Sequence, residues 1–206
     1  MRTHAAVALS SQPENNAEAV DERSWLARHC AGDKTAFPSL VEAYQRPLYT
    51  YLARCGVHPD SRDDVFQDIF IKIHLAARSY QSNRPLRPWL FAIATNTVRN
   101  HFRARRAQPR GVAPAEDFPD HRTPERQAEI RERVAQVERE IGALPLAQRE
   151  VLVLSTLQDM RLSDIAASLG LPLNTVKTRL RRARLQLAAR LADAARIGAG
   201  ESHEAL

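Results

Sequence analysis

Cysteine is nearly absent from this chain. Cys30 and Cys55 are the two thiols in 206 residues, and they form no Cys-x-x-Cys pair. Neither a zinc site nor a disulfide is implied, and unpaired thiols in a reducing compartment are the expectation. No apolar run approaches the roughly 20 residues that a membrane-spanning helix needs. The N-terminus lacks the apolar core of a secretory signal. A soluble, cytoplasmic protein without membrane insertion is therefore expected. Internal repeats and plausible strand pairing are also missing, which leaves an all-α fold class. His29, His58, His74, His101 and His121, with the scattered acids, show neither metal-ligand nor acid/base spacing. No catalytic residue, metal or cofactor is expected, and an enzyme acting on nucleic acid is disfavoured.

What is present supports packed cores and a polyanion partner. A hydrophobic content of 44% suffices for packed cores, and the length allows one domain or two small ones. The formal net charge is +6 and the pI near 9.9. The charge is concentrated: no acid occurs between Arg84 and Arg110, nor over residues 173–192. Such local runs point to nucleic acid as the partner.

Residues 1–20 are small and polar, and read as a flexible tail. Trp25, Leu26 and His29 suggest a short helix closed at Gly32. Asp33 can cap the next, where Phe37, Leu40, Val41, Tyr44, Leu48, Tyr51, Leu52 and Cys55 form a helical stripe. Over residues 61–79 a further helix buries Val65, Phe66, Ile69, Phe70, Ile73, Ala76 and Ala77. Asp64, Gln67, Asp68 and Ile71 share its outward face at i, i+3, i+4 and i+7. Acids near a helix start suit the dipole without any partner. An outward isoleucine among them points to a protein-docking surface. After a polar loop with Tyr80 and Asn83, Pro85 and Pro88 open a helix to about residue 107. Leu86, Trp89, Leu90, Ile93, Thr97, Val98 and Phe102 are core-spaced. Asn96, Arg99, Asn100 and Arg103 lie opposite, extended by Arg105, Arg106 and Arg110. A solvated basic face would account for the arginines, but asparagine is a mediocre helix former and gains little there without a partner. Amides and arginines beside an aromatic loop suit nucleic acid with exposed bases.

Pro109, Pro114, Pro119 and Pro124 mark residues 108–124 as a linker between two helical domains, residues 21–107 and 125–192. The second contains a helix with Ile130, Val134, Val137 and Ile141, a shorter one with Val151, Leu152 and Leu154, and then a helix-turn-helix. Ser163 can cap its first helix and Gly170 ends it. Pro172 bars continuation, and Asn174 or Thr175 can cap the second. Val176, Leu180, Ala183 and Leu187 form an inward stripe, leaving Thr175, Lys177, Thr178, Arg179, Arg181, Arg182 and Arg184 for the polar side. A basic helix packed on a short one is how such motifs enter the major groove. Lys177, Thr178, Arg181 and Arg182 are placed for base edges, with Arg179 and Arg184 on the flanks for phosphate. A helical hairpin with a solvated basic face is the plainer alternative. Residues 193–206 read as a frayed tail.

Together these segments resemble the extracytoplasmic-function (ECF) sigma factors, compact two-domain initiation factors of bacterial transcription. Asp63-Asp64-Val65-Phe66-Gln67-Asp68-Ile69-Phe70 resembles the family's polymerase-binding helix. Residues 87–106 resemble its promoter-melting helix, and residues 144–152 with the helix-turn-helix resemble its domain four. The resemblance implies that Asp64, Gln67, Asp68 and Ile71 dock on core RNA polymerase. It implies that Tyr80, Asn83, Asn96 and Asn100 hold melted "−10" bases, with Arg99, Arg103, Arg105 and Arg106 on phosphates. The helix-turn-helix would read the "−35" duplex, and an anti-sigma factor would hold the protein inactive. Arg87 and Pro88 depart from the usual pattern before Trp89, as do Asn174 and the Arg181-Arg182 pair. The competing assignment, a one-component helix-turn-helix regulator, explains residues 145–191 equally well. It leaves the acidic face and the paired asparagines unexplained.

Overall fold

A computed structural model describes residues 15–105, 124–156 and 158–201. Every regular element among them is helical. The first group comprises α1 (Asn15–Cys30), α2 (Ala36–Arg54), α3 (Pro59–Ala76), a 3-10 turn (Ala77–Ser79) and α4 (Leu86–Arg105). The second comprises α5 (Pro124–Gly142), α6 (Leu146–Thr156), α7 (Leu162–Leu169) and α8 (Leu173–Glu201). Most of the expected linker, residues 108–123, lies outside the described residues, as does Arg106.

In the first group α2 packs between α1 and α3, and α4 lies along α3. The apolar spacing explains this. Leu40, Tyr44, Leu48, Tyr51 and Leu52 recur on one side of α2, and all are buried. Removing each such side chain from water contributes about 1.5–3 kcal/mol. In the second group α5, α6 and α7 all lean on α8. Val176, Leu180 and Ala183 are buried there as their spacing predicts.

The two groups also pack on one another. Helix α7 lies against α4, and α5 and α6 reach α2. Buried side chains from both halves run together in one cluster. This junction alters the expected pattern of α4: Phe91, Ala94 and Thr95 are fully buried although they lie off the predicted stripe. Tyr51 donates to Thr95 Oγ1 at 3.1 Å and sets its ring edge-on to Phe91 at 5.4 Å, so α2 fills part of that second face.

Several local expectations are corrected. Helix α1 starts at Asn15, inside the expected tail, and α8 continues to Glu201 through residues expected to fray. Thr35 rather than Asp33 precedes α2. Asp33 instead accepts from the Thr35 amide at 2.8 Å and hydroxyl at 2.6 Å, and its carboxyl falls to about 2 through those bonds and Arg28. Arg161, extended and without a side-chain cap, precedes α7, so Ser163 lies within the helix. Asn174 and Thr175 likewise lie inside α8, because Pro172 already accepts the first backbone bonds from Thr175 and Val176. Gly170 behaves as predicted: at φ 62° it is left-handed, and Leu171 N–H closes the turn on Ala166.

Candidate nucleic-acid interface

The outward face of α3 is open at Asp64, Gln67 and Ile71, the last 58% exposed. Asp68 differs. Lys72 donates to its carboxylate at 2.7 Å and to Thr97 Oγ1 at 3.2 Å, tying this acid to α4. One turn further, Leu75 is 76% exposed and helps line an open groove of about 430 Å³ between α3 and α4. Asn96 and Asn100 stand on the α4 side of that groove, with Ile93 and Thr97. Their amides offer both donors and acceptors to solvent, which is what reading a base edge requires. Arg103 donates to Asn100 Oδ1 at 2.9 Å and so orients one of them.

The loop before α4 is partly fixed. Tyr80 donates to the Arg84 carbonyl at 2.5 Å and its ring lies 5.2 Å from Trp89, leaving it half-buried. Asn83 is exposed in the same loop. Arg105 reaches Ser61 Oγ at 3.4 Å, beside the start of α3.

Arg99 leaves the face that helical spacing assigned to it. Its Nε and Nη2 grip Glu150 of α6 through three bonds of 2.8–3.1 Å. Glu150 is 1% exposed. Burial pushes its carboxyl up, opposed first by Arg99 and then by Arg179 and Arg149. Burial also works against the Arg99 charge, but the Glu150 carboxylate, with smaller help from Tyr51 and Cys55, leaves Arg99 above its ordinary value. An asparagine-and-arginine face predicted as one is thus two: Asn96 and Asn100 open to the groove with Arg103 exposed beside them, and Arg99 turned into the junction.

Other polar contacts cross beside this pair. Arg149 donates to the carbonyls of Cys55, at 2.7 Å, of Leu144, at 2.8 Å, and of Gly142. One guanidinium therefore closes helix ends in both groups. Gly56 makes room for it, since a Cβ there would stand 2.5 Å from Arg149 Nη1, and its φ of +84° is left-handed. Cys55 is enclosed, and burial raises its thiol to about 12, the range of an inert side chain. Arg87 donates to Gln158 Oε1 at 3.1 Å, and Gln158 donates to the Pro47 carbonyl at 3.2 Å. The Ser168 hydroxyl lies 2.7 Å from the Pro88 carbonyl and 2.8 Å from that of Asp164, sharing its one proton between the junction and its own helix. The unusual Arg87-Pro88 pair therefore meets the second helical group. Glu150, Gln158 and Ser168 escaped sequence reasoning, although an acid at 150 in register with Leu146, Val153 and Leu154 was a visible irregularity.

On α8, Lys177, Thr178, Arg181, Arg182 and Arg184 are exposed. Thr175 and Arg179 are half-buried, Arg179 on the side toward Glu150. Thr178 donates back to the Asn174 carbonyl at 2.8 Å, fixing its hydroxyl at the helix start. The expected polar face exists as one continuous strip, with Arg179 at its inner edge.

Comparison with known proteins places these surfaces in context. The Sigma-70 region 2 family matches residues 40–108, and the Sigma-70, region 4 family matches residues 135–187. RNA polymerase sigma factor NccH of Alcaligenes xylosoxydans xylosoxydans is 34% identical over 178 residues, covering 84% of this chain and 95% of the relative. ECF RNA polymerase sigma factor SigM of Mycobacterium tuberculosis is 32% identical over 163 residues, 79% of this chain and 81% of its own. Among solved structures, CnrH in complex with the cytosolic domain of CnrY superposes with a TM-score of 0.63 at 30% identity, over 84% of this chain and 98% of that one.

Proposed function

The chain belongs to the ECF sigma factors of the Sigma-70 family, and from that premise we propose how its surfaces divide the work of transcription initiation. Asp64, Gln67 and Ile71, with Asp68 where Lys72 leaves it free, dock on core RNA polymerase. Their mix of acid, amide and exposed apolar side chain suits a protein surface better than DNA, which would repel the acids. Asn96 and Asn100 hold unpaired bases of the "−10" element in the groove beside Leu75. Tyr80 and Asn83 border that path. Arg99, Arg103 and Arg105, and Arg106 beyond the described residues, follow the phosphates. Lys177, Thr178, Arg181 and Arg182 read duplex at the "−35" element, flanked by Thr175, Arg179 and Arg184.

The protein contributes binding energy and position rather than a reacting group, so the chemistry stays with the polymerase. It acts in the cytoplasm. A relative solved with the cytosolic domain of its partner CnrY supports regulation here by an anti-sigma factor.

The observation that carries this reading is that α4 and α8 turn polar faces out of one shared core. Asn96 and Asn100 stand open on α4, and Lys177, Thr178, Arg181 and Arg182 on α8. Reconstituted run-off transcription with core polymerase across a promoter library tests it. Core binding by Asp64→Lys/Asp68→Lys should fall sharply while helicity is retained, since exposed charges contribute little to folding. Undiminished core binding by the double variant would show that face to be merely solvated.

A further inference from the structure

We propose that Glu150 is an internal substitute for DNA phosphate, latching the second helical group over Arg99 until polymerase opens the chain. This rests on the proposed role of α4 in holding melted DNA, and supplies the regulation of that same site. A planar guanidinium binds a carboxylate and a phosphate through the same two-pronged geometry. The three Arg99–Glu150 bonds use that geometry, so a nucleic-acid phosphate and Glu150 compete for one cation. The neighbouring cations are not held this way: Arg103 bonds the amide of Asn100 and Arg105 the hydroxyl of Ser61.

Glu150 has no evident value to its own helix. It interrupts the stripe of Leu146, Val153 and Leu154, where an apolar side chain would pack without desolvating a charge. With Arg99 bound it is compensated; when the groups separate it returns to water. The contacts around it are reversible in the same way. Arg87–Gln158 and Gln158–Pro47 each trade a hydrogen bond across the junction for one to solvent, and Ser168 can turn from Pro88 to the Asp164 carbonyl of its own helix.

The mask is selective. Asp64, Gln67 and Ile71 remain exposed while Arg99 is held, and so do Lys177, Thr178, Arg181 and Arg182. The closed chain therefore presents its polymerase-docking face and its duplex-reading helix, but withholds the cation needed for the melted strand. Polymerase engages first, and single-stranded DNA follows once the junction opens.

The test compares the full-length wild type with Glu150→Gln. Two fluorescent probes of mixed sequence are used without polymerase, one single-stranded and one duplex. If the closed form predominates, releasing Arg99 should tighten single-strand binding by about tenfold or more, because apparent affinity scales with the competent fraction. Duplex binding should change far less, because Arg179 is the one α8 cation whose charge acts on Glu150. Labels on Gln81→Cys and Gln186→Cys, in a Cys30→Ser background, should move apart in Glu150→Gln. Equal gains on both probes would mean only that a negative charge had been removed, and would overturn the latch. So would unchanged single-strand binding with unchanged label separation. Should Glu150→Gln fail to fold, Gln158→Ala removes two junction bonds without altering charge. It must then show the same selectivity at smaller size, and its absence overturns the proposal. Transcription by wild type with core polymerase separates the two levels. Normal promoter-dependent initiation alongside a failed latch test rejects the latch alone, whereas no initiation by wild type rejects the proposed function itself.

Discussion

Helices α4 and α8 are built from similar materials and end in different states. Each carries a run of cations free of acids, and each anchors that run on a buried apolar stripe. On α8, Lys177, Arg181, Arg182 and Arg184 face water and Arg179 alone among residues 177–184 is a half-buried cation, because α5, α6 and α7 pack on the apolar side of that helix. Helix α4 is enclosed from two directions, by α3 on one side and by α7 on another. Its arginines are therefore sorted, with Arg103 outside and Arg99 inside. Charge and periodicity determine which residues can bind DNA. Packing from a distant segment determines which of them are free to do so.

The largest expected effect breaks the two-sided enclosure itself. Phe91 is fully buried on the second face of α4. Phe91→Ala removes an aromatic side chain that its surroundings cannot replace, and should lower stability by about 3–5 kcal/mol in denaturant unfolding. A loss no larger than that of an exposed substitution would mean that the second face is not part of the core. The contrast with α8 would then collapse.

This difference also decides what was legible. The stripe Val176, Leu180, Ala183 and Leu187 was readable because α8 is buried along one side only, the situation that helical periodicity describes. The same reasoning on α4 found Leu86, Leu90 and Val98 but assigned Arg99 outward with Asn96 and Asn100. Phe91, Ala94 and Thr95 were missed because what packs on that side of α4, Tyr51 of α2 and the helix α7, lies dozens of residues away in the chain, before it and after it. Glu150 is the counterpart of that error. Its burial is compensated first by Arg99, and no local rule connects position 99 to position 150. The turn at Gly170 lay at the other extreme, since one left-handed residue and the following Pro172 define it locally. The caps at Ser163, Asn174 and Thr175 went wrong for a smaller reason. Backbone bonds to Arg161 and Pro172 start those helices earlier, so the polar side chains are already inside them.

A middle-sized effect sharpens the comparison from the α8 side. Lys177 and Arg182 are exposed in the closed chain, so their contribution to DNA binding should not depend on opening. Lys177→Ala or Arg182→Ala should remove about 1–3 kcal/mol of discrimination at one or two base pairs of the "−35" element. Binding of the full chain to a randomised duplex set measures this. Uniform loss across all sequences would make the helix an electrostatic clamp and move promoter choice to the groove beside Asn96.

The smallest effect concerns Arg184 against Arg179, two cations of one helix that the junction treats differently. Arg184 is exposed on the outer flank, whereas Arg179 is half-buried and close enough to Glu150 to oppose the rise of its carboxyl. A phosphate contact carries no sequence information but releases counterions, so its loss weakens all duplexes alike and lowers the salt slope by about one. Arg184→Ala should behave in that way whether Glu150 is present or replaced by Gln. The Arg179 charge acts on Glu150 through space, so Arg179→Ala should change the slope less in the wild-type background than in Glu150→Gln. The measurement is duplex affinity at several salt concentrations for the two single variants in both backgrounds. If Arg179→Ala gives the same slope change in each, its charge is as free as that of Arg184, and the influence of the junction stops at α4.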